Sequence, residues 1–235
     1  SIGSNKAVSV NRQIRMNPLT RKDEESIKIA VGFGVKHFAL SFANHLEDVQ
    51  AIRHQTPKNS FIISKIESRE GIRNLEAIAD ASDAILIDRG DLSREEPIES
   101  IPLLQKHIIN KAKSTETKVY VATNLLESMV TQTNPTRAEV NDIFNTLLDG
   151  ADGLVLAAET AIGNNPVGCV NMISKLMDQF NNFNKFDTDI SKYEKRSLLI
   201  EAHGGSLVSR VETEPDIQEL SKLPVLEVDG KIVSD

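Results

Sequence analysis

Tryptophan is absent, and aromatic residues make up only 4% of the 235 positions. The core must therefore be aliphatic, and an aromatic platform for stacking nucleic-acid bases is not expected. There is one cysteine, Cys169, which excludes an internal disulfide and fits a reducing, cytoplasmic setting. No apolar run approaches the roughly 20 residues of a membrane span. Ser1 to Met16 is polar and mixed, and does not read as a signal peptide. Positive charge is not in excess either. The net charge of −7 argues against nucleic acid or an anionic membrane as partner.

What is present is the composition of a globular protein, 40% hydrophobic and 26% charged. From Lys36 to about Asn182 a rhythm repeats: a short apolar run, a polar junction, then a segment with helical spacing. The apolar runs are His37 to Phe42, Phe61 to Ile66, Ala84 to Ile87, Lys118 to Ala122 and Gly153 to Ala157. Their starts lie about 23 to 35 residues apart, the spacing of βα units. Helices are expected over Leu46 to Gln55, Gly71 to Ala81, Ile98 to Lys113, Thr136 to Leu148 and Pro166 to Phe180, with one more, Arg21 to Val31, before the first strand. Thr136 with Glu139 after Pro135 is a capping box, and Thr20 with Asp23 a weaker one. Strands alternating with helices imply a parallel sheet covered by helices. An open doubly wound sheet fits, and so does part of a closed barrel of eight units. Five barrel strands alone would leave two unpaired edges, to be covered by further chain or a second subunit.

Chemistry in such sheets gathers where the strands end. Lys65 and Glu67 lie two apart and share a strand face. They read either as an anion and metal site or as an ordinary ion pair. Asp88-Arg89-Gly90-Asp91 follows the next strand. Gly90 permits close approach of backbone to a ligand, and Asp91 adds a hard oxygen donor of the kind Mg²⁺ takes. The alternative is a loop that merely caps the following segment. The Thr123 hydroxyl could bond a substrate carboxylate or cap a helix. Glu159 could orient other groups or simply sit at the mouth. His37 and His45 flank the first strand, but the histidines show no ligand spacing. Cys169 reads as packing.

Together these runs resemble pyruvate kinases. The resemblance rests on Leu19-Thr20-Arg21-Lys22-Asp23, Leu40-Ser41-Phe42, Ile63-Ser64-Lys65-Ile66-Glu67, Gly71 and Arg89-Gly90-Asp91-Leu92. It continues through Ala122-Thr123, Leu126-Glu127-Ser128-Met129, Pro135-Thr136-Arg137-Ala138-Glu139, Leu148-Asp149-Gly150-Ala151-Asp152 and Glu159-Thr160-Ala161. It covers about residues 6–183 and implies a TIM-barrel-type α/β fold that binds phosphoenolpyruvate, pyruvate or a related keto acid. It also implies Mg²⁺ (or Mn²⁺) and K⁺ as cofactors. By that resemblance Glu67 and Asp91 are the metal ligands and Lys65 is the catalytic cation. Thr123 and the Arg89-Gly90 backbone hold the substrate carboxylate. Ser41 lies near the monovalent cation, and Arg137 near a subunit interface of a homo-oligomer.

The departures are equally specific. The first three strands of the family's barrel, its lid and its C-terminal regulatory domain have no counterpart. Asp88 stands where the family has a small residue, Ser93 for a Gly, Asn124 for a Gln, and Ala157-Ala158 for Ser-Gly. Ala157 thereby removes a hydroxyl associated with protonating the enolate.

After Asn182 the character changes. Residues 184–197 read as a linker, and 198–235 as a small α+β appendage. Its parts are Leu198 to Ile200, a Gly204-Gly205 turn, Leu207-Val208, a helical stretch from Asp216 to Leu220, and a hairpin at Asp229-Gly230. Glu201-Ala202-His203-Gly204-Gly205-Ser206-Leu207-Val208-Ser209-Arg210, with Leu223-Pro224, resembles the opening of an ATP sulfurylase. The end at Asp235, just after a hairpin, reads as a boundary inside a longer protein. Two functions follow as expectations. One is a pyruvate kinase-like metal and keto-acid site, without full kinase turnover by this stretch alone. The other is a degenerate scaffold, dimerisation or regulatory module fused to a sulfurylase.

Overall fold

The elements alternate as the periodicity predicts. A computed structural model describes residues 17–194, with side chains to residue 183, and the strands Leu199–His203 and Ser206–Arg210. Helix α1 (Arg21–Gly32) leads into β1 (His37–Leu40), α2 (Leu46–Gln55) and β2 (Phe61–Ile66). Next come α3 (Arg69–Arg73), α4 (Leu75–Ala81), β3 (Ala84–Asp88) and α5 (Arg89–Leu92). Then follow α6 (Ile101–Ser114), β4 (Lys118–Ala122), α7 (Arg137–Asp149), β5 (Gly153–Val155), α8 (Ala158–Ala161) and α9 (Pro166–Glu194).

The five strands form one parallel sheet in the order β1-β2-β3-β4-β5, each pairing with the next in sequence. Sequential parallel neighbours with a helix in each crossover are the pattern of a βα barrel, not of a doubly wound sheet, whose order reverses. The fold is thus of the α/β barrel type. Its five described strands do not close on themselves, and β1 and β5 are the two edges.

Strand β2 shows how the two faces differ. Ile62, Ser64 and Ile66 are buried beneath the helices, while Phe61, Ile63 and Lys65 are half-buried on the other face. The helix-side core is aliphatic, as the lack of tryptophan requires: Ile62, Ile66, Ile78, Ile85, Ile87, Ile108, Ile109 and Val121 are all at 0% exposure. Each such side chain contributes about 1.5–3 kcal/mol by leaving water. Cys169 is buried and lies against the Met129 carbonyl, as packing predicts.

Local chemistry sets the element boundaries. Thr136 caps α7 by accepting the Glu139 N–H at 3.2 Å, and the Glu139 carboxylate takes the Thr136 N–H at 2.7 Å. Thr20 and Asp23 make the same reciprocal pair on α1. Gly150 ends α7 at φ +104°, a left-handed conformation that glycine adopts without strain.

Several expected boundaries move. Strand β1 stops at Leu40, because Phe42 turns to φ +50° and leaves the extended region. The helix expected over Gly71 to Ala81 breaks at Asn74, whose side-chain amide donates to the Asn44 carbonyl at 2.7 Å. Helix α9 does not stop at Phe180. It runs to Glu194, so most of the segment expected as a linker has helical backbone. In the tail, β6 (Leu199–His203) and β7 (Ser206–Arg210) pair antiparallel, with His203 opposite Ser206. The helical stretch from Asp216 and the hairpin at Asp229-Gly230 lie outside the described residues. Among the described residues no helix is long and apolar enough to cross a membrane.

Candidate functional site

Four strand ends meet at one mouth of the sheet. Lys65 leaves β2 on the open face, with Glu67 two residues on. The register sets Lys65 opposite Leu86 of β3, and Asp88 opposite Ala122 of β4. Period-two alternation therefore puts Lys65, Glu67 and Asp88 on one side.

The contacts are short. The Lys65 ammonium lies 2.5 Å from Glu67 Oε1 and 3.1 Å from Asp88 Oδ2. The Glu67 carboxylate is 1% exposed, and its other oxygen accepts the Phe42 N–H at 2.5 Å. Asp88 Oδ1 accepts the Thr123 hydroxyl at 2.7 Å and the Asp91 N–H at 3.5 Å. Asp91 pairs with Arg94 at 2.8 Å. One carboxylate oxygen from each of Glu67, Asp88 and Asp91 falls within 4.8 Å of the others.

These neighbours shift the titrations. Burial pushes the Glu67 carboxyl above its ordinary range, and the Lys65 ammonium and the Phe42 N–H only partly offset it. Burial acts against the Lys65 ammonium, but the Glu67 and Asp88 carboxylates outweigh it and hold the amine above its usual range. Burial likewise disfavours the Asp88 anion. The Thr123 hydroxyl and the Lys65 ammonium overcome that and hold Asp88 below the usual carboxylate range.

Thr123 is held from two sides. Its backbone sits at φ +79°, a region that costs a β-branched residue strain. Arg89 donates to the Thr123 carbonyl from Nε at 3.2 Å and from its terminal nitrogen at 2.8 Å, while the hydroxyl is fixed on Asp88. Gly90 packs against it: a Cβ there would come within 2.7 Å of Thr123 Cγ2. From Thr123 the Arg89 guanidinium reaches on into the helix layer. It ends between α6 and α7 on Asp142, at 2.8 Å, and on Gln105.

The outer strand ends are braced separately. Glu159, 2% exposed, accepts the Leu126 N–H at 3.0 Å and the Ala157 N–H at 2.8 Å, tying the loops after β4 and β5 together. Ala157 is exposed, and Ser41 is exposed at the end of β1. Asn124 bonds Glu127. His45 lies near Asn74, and the His37 and Phe61 rings lie 5.4 Å apart, tilted by 45°.

The structure thus brings together Lys65, Glu67, Asp91, Thr123 and the Arg89-Gly90 backbone. It also brings in Asp88, to which the sequence reading gave no role. The period-two spacing from Leu86 was the signal that could have found it. Hard oxygen donors at this separation suit a divalent cation such as Mg²⁺.

The pyruvate kinase barrel domain matches residues 1–170. The pyruvate kinase of Thermotoga maritima is 43% identical over 166 residues, 69% of this chain and 36% of that protein. That of Thermoplasma acidophilum is 40% identical over 180 residues, 75% of this chain and 33% of the other. That of Thermococcus litoralis is 40% identical over 177 residues, 74% and 37% respectively. The chain therefore spans between 33% and 37% of the length of these curated relatives.

Proposed function

The chain belongs to the pyruvate kinase barrel family, and we propose that its sheet mouth binds one divalent cation, Mg²⁺ or Mn²⁺, beside a small keto acid. Pyruvate, phosphoenolpyruvate or a related enolate fits that description. The observation that carries the reading is the approach of a Glu67 and an Asp91 oxygen within 4.8 Å, next to the Lys65 ammonium. In this reading Glu67 and Asp91 hold the cation, and ligand and water oxygens complete its shell. Such an ion, when bound, supplies Lewis-acid polarisation of the keto or enolate oxygen. Lys65 offsets negative charge on that oxygen or on a phosphoryl group. The Thr123 hydroxyl and the backbone of Arg89-Gly90-Asp91 orient the carboxylate. K⁺, near Ser41, and a homo-oligomer with Arg137 at an interface belong to the same proposal.

Phosphoryl transfer depends mainly on positioning and electrostatic groups. We propose that this stretch supplies part of that set, so the reading is confined to metal and keto-acid binding. The alternative is a scaffold or regulatory role beside an ATP sulfurylase-like module that begins near Leu198. Ala157, exposed at the end of β5 and lacking a hydroxyl, favours that alternative.

Calorimetric titration of Mn²⁺, with and without oxalate as an enolpyruvate mimic, separates the two. Tight oxalate-dependent binding that Glu67→Gln abolishes supports the metal site. No binding at about millimolar Mn²⁺, a free energy near 4 kcal/mol, overturns it in favour of the scaffold.

A further inference from the structure

Three donors belong to the proposed keto-acid site: the Lys65 ammonium, which also pairs with Glu67 at 2.5 Å, the Thr123 hydroxyl and the Asp91 N–H. All three already end on a single side chain. Asp88 Oδ2 receives Lys65 at 3.1 Å, and Asp88 Oδ1 receives Thr123 at 2.7 Å and Asp91 at 3.5 Å. We infer that Asp88 is a built-in competitor, a carboxylate of this chain that occupies donors a keto acid would take. The inference rests on the keto-acid reading of the site and assigns Asp88 a part in it that is distinct from metal binding.

The geometry gives the reason. A carboxylate has two oxygens and roughly four lone-pair positions, and both Asp88 oxygens are engaged. An incoming carboxylate must displace Asp88 from charge-assisted bonds, which are the stronger kind. Asp88 is 15% exposed on its side chain and leads directly into α5, so it has little room to swing away. Charge adds to the effect. Glu67, Asp88 and Asp91 set three carboxylates around one ammonium, with Arg94 on Asp91 and Arg89 turned back onto Asp142. Asp88 thereby sets the strength of binding.

Oxalate titrations of the whole chain, wild type against Asp88→Ala and Asp88→Asn, test this, with Mn²⁺ titrated separately into each. Removing the competitor is expected to tighten oxalate about tenfold or more in Asp88→Ala while Mn²⁺ binding through Glu67 and Asp91 is retained. Asp88→Asn should fall between, because its amide oxygen still accepts from Thr123 but carries no charge for Lys65. Unchanged or weaker oxalate binding in both variants overturns the inference. So does loss of Mn²⁺ binding in Asp88→Ala, which would make Asp88 a metal ligand instead. If the wild type binds no Mn²⁺, the metal reading fails by itself, and the same oxalate comparison run without metal still decides the part played by Asp88. Should circular dichroism show Asp88→Ala unfolded, the Asn variant decides on the same criterion.

Discussion

The Glu67 carboxylate accepts the Phe42 N–H at 2.5 Å, joining the buried end of β2 to the loop after β1. Phe42 sits at φ +50°, and this bond helps hold it there. Glu67 therefore has a structural duty as well as its proposed metal-binding one, and the two can be separated. Glu67→Gln keeps an acceptor for Phe42 and should melt near the wild-type temperature while losing Mn²⁺. Glu67→Ala should also lose about 1–3 kcal/mol of stability, since a buried donor is left unpaired. Urea denaturation of the two variants checks the difference.

Glu139 serves two elements at once. Its carboxylate takes the Thr136 N–H at the start of α7 and both the N–H and the hydroxyl of Ser128, at 2.7 and 2.6 Å. Burial opposes its charge, but the Ser128 and Thr136 bonds prevail and hold the carboxyl below the ordinary glutamate value of 4.5. A depressed folded-state pKa means that its stabilisation is present above pH 4.5 and is lost as pH falls through the folded-state value. Glu139→Gln should be less stable than wild type at neutral pH, with the gap closing in acid. Thermal melts across pH measure it.

Glu159 braces two loops through two backbone donors, the buried Leu126 N–H and the half-buried Ala157 N–H. Glu159→Ala is expected to cost about 1–3 kcal/mol, chiefly from leaving the buried Leu126 N–H unpaired. Glu159→Gln keeps an acceptor oxygen and should recover part of the loss. A chemical-denaturation midpoint shift reports both.

Arg89 carries the Thr123 carbonyl and the Asp142 carboxylate on one planar fork. Lysine cannot make the paired bonds from a point charge. Arg89→Lys should therefore destabilise the β3–β4 mouth by about 1–3 kcal/mol and loosen Thr123. A double-mutant cycle with Asp142→Asn should show coupling between the two positions. Additive effects would assign Arg89 to Thr123 alone.

Much of the architecture could be read along the chain because it depends on local periodicity. The apolar runs at Phe61–Ile66 and Lys118–Ala122 became β2 and β4 without change, and the Thr136–Glu139 spacing became a capping box. The sequence by itself also placed Lys65 and Glu67 on one strand face, since that follows from the two-residue repeat of an extended chain. It could not foretell the break at Asn74 or the turn at Phe42, which come from contacts made 25 to 30 residues away. Nor could it tell that Arg89 ties the Thr123 carbonyl to Asp142, or that Asp88 takes Lys65 and Thr123. Those outcomes depend on parallel register between strands far apart in the chain, where side-chain geometry and burial, not spacing, decide which donor meets which acceptor.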